Sequence, residues 1–193
     1  MHPLTNADIV GQDEYERMRP EFRRRVMVLK TRRRVSIGDH CTLHFENRET
    51  MRYQVHEMLR TEDSWTRPGA IDDELRAYNA LIPHTRELSA TMMLEYETAQ
   101  ERALILPRLV GIDQHLWLRI GDTTPVLAAF EHGQIDGAKI SAVQYLKFAL
   151  SSDQIETLQT DGTVLRVVID HPAYRAQAVL SEETRKAIAD DPA

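Results

Sequence analysis

Glu87-Leu88-Ser89-Ala90-Thr91-Met92-Met93-Leu94-Glu95-Tyr96-Glu97 is the stretch on which the reading of the fold turns. Leu88, Ala90, Met92, Leu94 and Tyr96 recur every second residue, with Glu87, Ser89, Thr91, Glu95 and Glu97 between them. A period of two belongs to a strand with one buried face, because successive side chains of a pleated chain point to opposite sides. Upstream the apolar spacing is helical. Phe22, Val26 and Leu29 form one stripe of a segment running to about Thr31, with Pro20 suited to its first turn. Asn47 is an N-cap residue with Glu49 in the positive first turn behind it, and Ile71, Leu75, Tyr78 and Ile82 mark a further helix closed by Pro83.

Downstream, Thr98-Ala99-Gln100-Glu101 is a capping box. His115 to Ile120, Val126 to Glu131, Ile140 to Leu150 and Thr163 to Asp170 read as strands, with a turn at Asp136-Gly137. Tyr174 to Leu180 adds an edge strand, Ser181 caps a last helix, and residues 189–193 are expected to fray. The fold class that follows is α+β: N-terminal helices packed on a mostly antiparallel sheet of about five strands, in one layer. The length supports one domain over 1–193, mainly helical over 1–83, mainly β over 84–180, with a closing helix and tail over 181–193.

Composition narrows the function classes. An apolar share of 42% and a charged share of 28% are those of a soluble globular protein. The start, Met1-His2-Pro3-Leu4, lacks the features of a signal peptide, and no apolar run is long enough to span a bilayer; a cytoplasmic location without membrane insertion is expected. The single cysteine, Cys41, excludes an internal disulfide and a cysteine-held cluster. Phosphate loops, Rossmann glycines, His-Glu-x-x-His and Cys-x-x-Cys are absent. Charge is lopsided: nine basic residues between Arg17 and Arg34 face one acid, Glu21, a local charge of +8 in a chain of net −6. Such a segment could track a phosphate backbone. Without aromatic interleaving or a known nucleic-acid module, docking onto the chain's own acidic body, or a partner's, is the simpler reading.

The densest set of functional groups runs from Phe45 to Arg60. On a helical wheel Met51, Val55, Met58 and Leu59 make the buried arc, with Glu49, Tyr53, His56, Glu57 and Arg60 opposite. Arg48, Arg52 and Gln54 lie on or beside the apolar arc. An enclosed Arg48 needs either a carboxylate, such as Glu95 or Asp170, or an anionic ligand. His44, Glu46, His56 and Glu57 are the candidate metal ligands, while alternation puts Cys41 on the face opposite His44. A second constellation, Ile169 to Arg175, places His171 before Pro172 where the ladder should break; there Asp170 can orient an imidazole and Tyr174 can donate a proton. Gln144 shares the apolar face of Ile140, Ala142, Leu146 and Phe148, and so needs a buried partner or a ligand.

Phe45-Glu46-Asn47-Arg48, Tyr53-Gln54, Glu57-Met58-Leu59-Arg60, Ala77-Tyr78-Asn79, Glu87-Leu88-Ser89-Ala90-Thr91, Leu109-Val110-Gly111-Ile112, Ser141-Ala142-Val143-Gln144-Tyr145 and Ile169-Asp170-His171-Pro172 resemble an uncharacterised bacterial domain family of unknown function. The resemblance spans nearly the whole chain, and His56 departs from it where a glutamine is expected. It implies a gene neighbourhood with a rubrerythrin-like protein and an iron-sulfur oxidoreductase of the Cys-Cys-Gly type, and hence a redox or peroxide-stress setting. It carries over no catalytic residues and no cofactor.

The resulting expectation is a soluble accessory or binding protein of a bacterial redox system. Its polar pocket, between the Asn47 helix and the sheet, would be lined by Glu46, Arg48, Gln54, Glu57, Gln144 and His171. The partner would be a rubrerythrin-like protein or iron-sulfur oxidoreductase, and a homo-oligomer is left open. The alternative is a metal-dependent or acid/base enzyme using Glu57 and His171, with Tyr174 as a further candidate. A second alternative is a nucleic-acid binder acting through residues 17–34.

Overall fold

Asn47 shows how local chemistry sets the frame: its side chain accepts from the Thr50 amide, and the Thr50 hydroxyl accepts from the Asn47 amide, closing both ends of a capping box. That cap turns strand β2 (Cys41–Glu46) directly into helix α2 (Arg48–Thr61), so the outward face at the end of the strand lies under the helix that follows. The structure is a computed structural model that describes residues 1–131 and 140–192. Ahead of β2 come helix α1 (Gln12–Arg32) and strand β1 (Arg34–Ser36); after α2 come helix α3 (Ala70–Asn79) and strand β3 (Glu87–Leu94). Helix α4 (Ala99–Ile105), strands β4 (Leu116–Ile120), β5 (Val126–Leu127), β6 (Ala129–Phe130) and β7 (Val143–Ala149), helix α5 (Ser152–Gln159), strands β8 (Leu165–His171) and β9 (Tyr174–Val179), and helix α6 (Glu182–Ile188) complete the order.

The class is α+β, and the strands divide between two antiparallel sheets rather than one layer. A five-stranded sheet has the order β1-β2-β3-β7-β6 and a four-stranded sheet the order β5-β4-β8-β9. The segment predicted as one strand from Val126 to Glu131 is shared between them: β5 pairs with β4, β6 pairs with β7, and the chain changes sheets at Ala128, whose amide still donates to Leu116. The facing sides carry one core, including Leu43, Phe45, Leu88, Met92, Phe148, Leu118, Val167 and Ile169. The Glu87 stretch behaves as its period requires: Leu88, Ala90, Met92 and Leu94 enter that core. Helices α1, α2 and α3 pack on the other side, around smaller clusters built on Met51, Val55, Leu59 and Ile82 and on Tyr15, Phe22, Val26 and Tyr53.

Three local expectations are corrected. Pro20 lies inside α1, not in its first turn; it is exposed, so the carbonyl it leaves unpaired faces water. The β8–β9 ladder is not broken by Pro172, because His171 pairs directly with Tyr174 and Pro172-Ala173 forms the two-residue hairpin turn. The C-terminal residues do not fray: Asp191 is buried on Arg33, and the Pro192 carbonyl accepts from the Arg86 amide. Arg33 also donates to the carbonyls of Phe45, Glu46 and Ala187, tying the end of α1, the end of β2 and the C-terminal tail together. The Asp136-Gly137 turn lies outside the described residues.

Candidate functional site

The outer face of the five-stranded sheet is polar because of strand alternation and register. His44 pairs with Thr91 and Thr91 with Tyr145; Glu46 pairs with Ser89 and Ser89 with Lys147. These side chains face the helical layer, where Met51 and Gln54 of α2, Tyr78 of α3, and Leu81 complete a cavity of about 220 Å³ with Lys30 of α1 at one side. A neighbouring cavity of about 310 Å³ shares Leu81 and Tyr145 with it and reaches Ser89, Phe130 and Lys147.

Glu46 is the central group. Its side chain is 5% exposed, and it accepts from the Thr50 hydroxyl at 2.7 Å and the Thr91 hydroxyl at 2.8 Å. Two residues back on the same face, the imidazole of the half-buried His44 makes no hydrogen bond among the described residues. Burial pushes its imidazole below the usual histidine range, with Glu46 pulling the other way, so the ring is neutral at neutral pH. Tyr78 and Tyr145 are pushed up, chiefly by burial; Gln54 hydrogen-bonds Tyr78, and the charges of Glu131 and Glu46 add to the rise at Tyr145. Lys30 sits 5.8 Å over the Tyr53 ring. The site therefore offers a buried carboxyl acceptor, a neutral imidazole, two phenols and an amide, beside the apolar walls of Met51, Leu81, Met93 and Val143.

Of the six residues expected to line one pocket, the structure brings Glu46 and Gln54 together there and places the other four elsewhere. Arg48 is half-buried and pairs with Asp8 at 2.6 Å, not with Glu95 or Asp170, and its Nε donates to the His2 carbonyl. The Arg48 hydrogen bond holds the Asp8 carboxyl down to about 2. Glu57 takes a bidentate hold from Arg19, at 2.7 and 2.8 Å, and accepts from the Tyr15 hydroxyl at 2.6 Å. That grip, Arg19 foremost, holds its carboxyl down to about 2, which suits an ion pair and not a proton shuttle at neutral pH. Gln144 points into the core between the sheets and donates to the Ser141 carbonyl at 2.8 Å.

His171 belongs to the four-stranded sheet. Its Nδ1 accepts from the Ala173 amide and its Nε2 meets the Val110 carbonyl, both at 3.2 Å, which uses both ring nitrogens. Asp170 pairs with His115 at 2.9 Å rather than orienting His171. The Tyr174 hydroxyl donates to the Ile37 carbonyl at 2.6 Å; a Cβ on Gly38, at φ +68°, would stand 2.9 Å from it. The proposed metal ligands fall in three places: His44 and Glu46 at the cavity, Glu57 on Arg19, and His56 on the side of α2 that meets Tyr15 of α1. Among the described residues no three His, Cys, Asp or Glu come together to hold an ion.

His56 is a correction to the helical wheel. It is fully buried, stacked on Tyr15 with ring centroids 4.6 Å apart, accepting from the Val10 amide and bonded to the Arg52 carbonyl. Tyr53 is buried as well, because α1 covers the arc that the wheel assigned to solvent. Cys41 is buried, and burial pushes its thiol up to about 12, far from a nucleophile's range. Among residues 17–34, Arg19, Arg25, Arg32, Arg33 and Arg34 pair with carboxylates elsewhere in the chain, and Arg24 with Glu21.

Lys30, Tyr78, Thr91 and Tyr145 were not anticipated as site residues. Alternation did place Thr91 on the polar face, but nothing in the sequence joins it to residues of α1 and α3. No helix among the described residues is long and apolar enough to cross a membrane. A family model described as "Protein of unknown function (DUF3501)" matches residues 3–192. The chain is similar to a solved structure of a novel protein of unknown function from Burkholderia pseudomallei K96243, with 36% identity and a TM-score of 0.91, over 98% of this chain and 99% of that one. A search of curated proteins finds no match.

Proposed function

We propose, for a chain that belongs to the DUF3501 family of unknown function, that it binds a small polar molecule in the cavity between the five-stranded sheet and helices α2 and α3. The observation that carries this reading is Glu46, a buried carboxyl that lines a cavity and is held there by two threonine hydroxyls. A carboxyl has about four lone-pair sites when ionised, so acceptor capacity is left for N–H or O–H groups of a ligand. His44 adds a donor and an acceptor, and the Met51, Leu81, Met93 and Val143 walls receive an apolar part. A few convergent polar groups on an apolar lining is the usual make-up of a small-molecule site. The redox or peroxide-stress setting, with a rubrerythrin-like or iron-sulfur partner, rests on the family resemblance alone and makes this protein an accessory of such a system.

A second reading, acid/base chemistry, moves from Glu57 and His171 to Glu46 and His44. A neutral imidazole and a carboxyl stand two residues apart on one strand face, about 6.6 Å along the chain.

The test is an NMR titration with small amines, amides and hydroxy compounds, read at the His44 ring and the Thr91 and Gln54 amides. A ligand of this site shifts all three together, and Glu46→Gln weakens it by about tenfold. A panel that leaves these signals unmoved, or a binder indifferent to Glu46→Gln, would overturn the proposal.

A further inference from the structure

Outward alternation on the four-stranded sheet builds a second, separate surface. Trp117 pairs with Val168 on one side and Leu127 on the other; Arg119 pairs with Arg166, Arg166 with Val179, and Asp170 with Arg175. Arg119, Leu127, Arg175, Gln177 and Val179 are exposed, Val179 by 59%. None of the three arginines has a carboxylate partner among the described residues, although every arginine of α2, α3 and α6 has one. Arg166 goes further: its Nε is buried with no hydrogen-bond partner. Asp170, opposite Arg175 in the ladder, is hydrogen-bonded by His115 and by the Trp117 indole, and its single negative charge leaves the three arginines in excess.

Like charges directly opposite on neighbouring strands destabilise a sheet, and a buried guanidinium nitrogen without an acceptor adds to that cost. The like-charge opposition is relieved by carboxylates arriving from outside. We propose that this face is the docking surface for an acidic segment of a partner protein, its carboxylates meeting Arg119, Arg166 and Arg175 and its apolar side chains covering Trp117, Val168 and Leu127. Tryptophan and arginine at the centre of an open patch are the residue types that anchor protein interfaces. A nucleic acid fits less well, because the face carries one aromatic ring for stacking and the chain as a whole is at −6.

The experiment uses a short capped peptide alternating Glu and Leu, labelled for fluorescence anisotropy, beside the same peptide with Gln for Glu and a single-stranded oligoribonucleotide. The acidic peptide should bind the full chain, more weakly as salt rises, and lose about tenfold in affinity on the combined Arg119→Gln, Arg166→Gln and Arg175→Gln variant. The Gln peptide should bind at least about tenfold more weakly than the Glu peptide. Absent binding, equal binding of the two peptides, or affinity unchanged in the variant overturns the proposal, and tighter binding of the RNA does so in favour of a nucleic acid. Should the combined variant fail to fold, Arg175→Gln alone, at an exposed position, is expected to weaken the peptide by about threefold, and no change there is equally fatal.

Discussion

On the five-stranded sheet, His44, Glu46 and Thr91 alternate outward and meet helices; on the four-stranded sheet, Trp117, Arg119, Arg166 and Arg175 alternate outward by the same rule and form an open face. Around the helices, charge is compensated almost group by group: Glu57 with Arg19, Glu49 with Arg25, Asp8 with Arg48, Glu16 with Arg60. On the open face Arg119, Arg166 and Arg175 form no ion pair with a carboxylate among the described residues. The difference teaches that alternation assigns residues to a face and says nothing about what covers it. Desolvation forces a partner onto an enclosed charge such as Glu57 or Arg33, whereas water tolerates its absence on an open face.

The most severe way to break this contrast is to unpair the covered side. Asp191→Ala leaves the buried Arg33 guanidinium with carbonyls alone and should cost about 3–5 kcal/mol in urea unfolding. Burial pushes the Asp191 carboxyl up to about 6 against the pull of Arg33, so the measurement belongs near pH 8, where the pair is fully charged. A loss below about 1 kcal/mol would show that the tail is not a fastening of the fold.

A smaller effect is expected at Glu57. Its folded carboxyl is held at about 2, below the ordinary value of 4.5, so its contribution is fully present above about pH 4.5 and is lost as pH falls towards 2. Glu57→Gln should therefore cost about 2 kcal/mol at neutral pH, and its unfolding curve should converge on that of the parent in acid. Parallel curves across that window would contradict the ion-pair assignment. The smallest effect belongs to the open face: Arg119→Gln should change stability by no more than about 0.5 kcal/mol, and in the direction of a gain, since it removes a like-charge pair. A clear loss by thermal unfolding would mean that this face is not open.

Legibility in the sequence followed the range of the interactions. Asn47, Thr98 and Ser181 were readable as caps because a cap is made within four residues, and Leu88 to Leu94 were readable as a strand because the pleat is local. His56 was misread because a wheel knows one buried arc, and α2 has two: one towards Met51 and Leu59, and one that α1 covers with Tyr15 and Phe22. Glu46 and Gln54 line one cavity because β2 runs straight into α2. Arg48, Glu57, Gln144 and His171 went elsewhere, each to a partner from a distant part of the chain.

By itself, the sequence determined the α+β class, the polar and apolar sides of β2 and β3, the caps, and the presence of a dense polar junction between Phe45 and Arg60. Only the tertiary structure decided that the strands split into two sheets, that α1 and the Asp191 tail close over the first, and that Lys30, His44, Glu46, Tyr78 and Tyr145 share one cavity. The physical reason is range: caps and alternation are settled by neighbours along the chain, while the partner of a charge and the cover of a face are settled by whichever distant element can exclude water there.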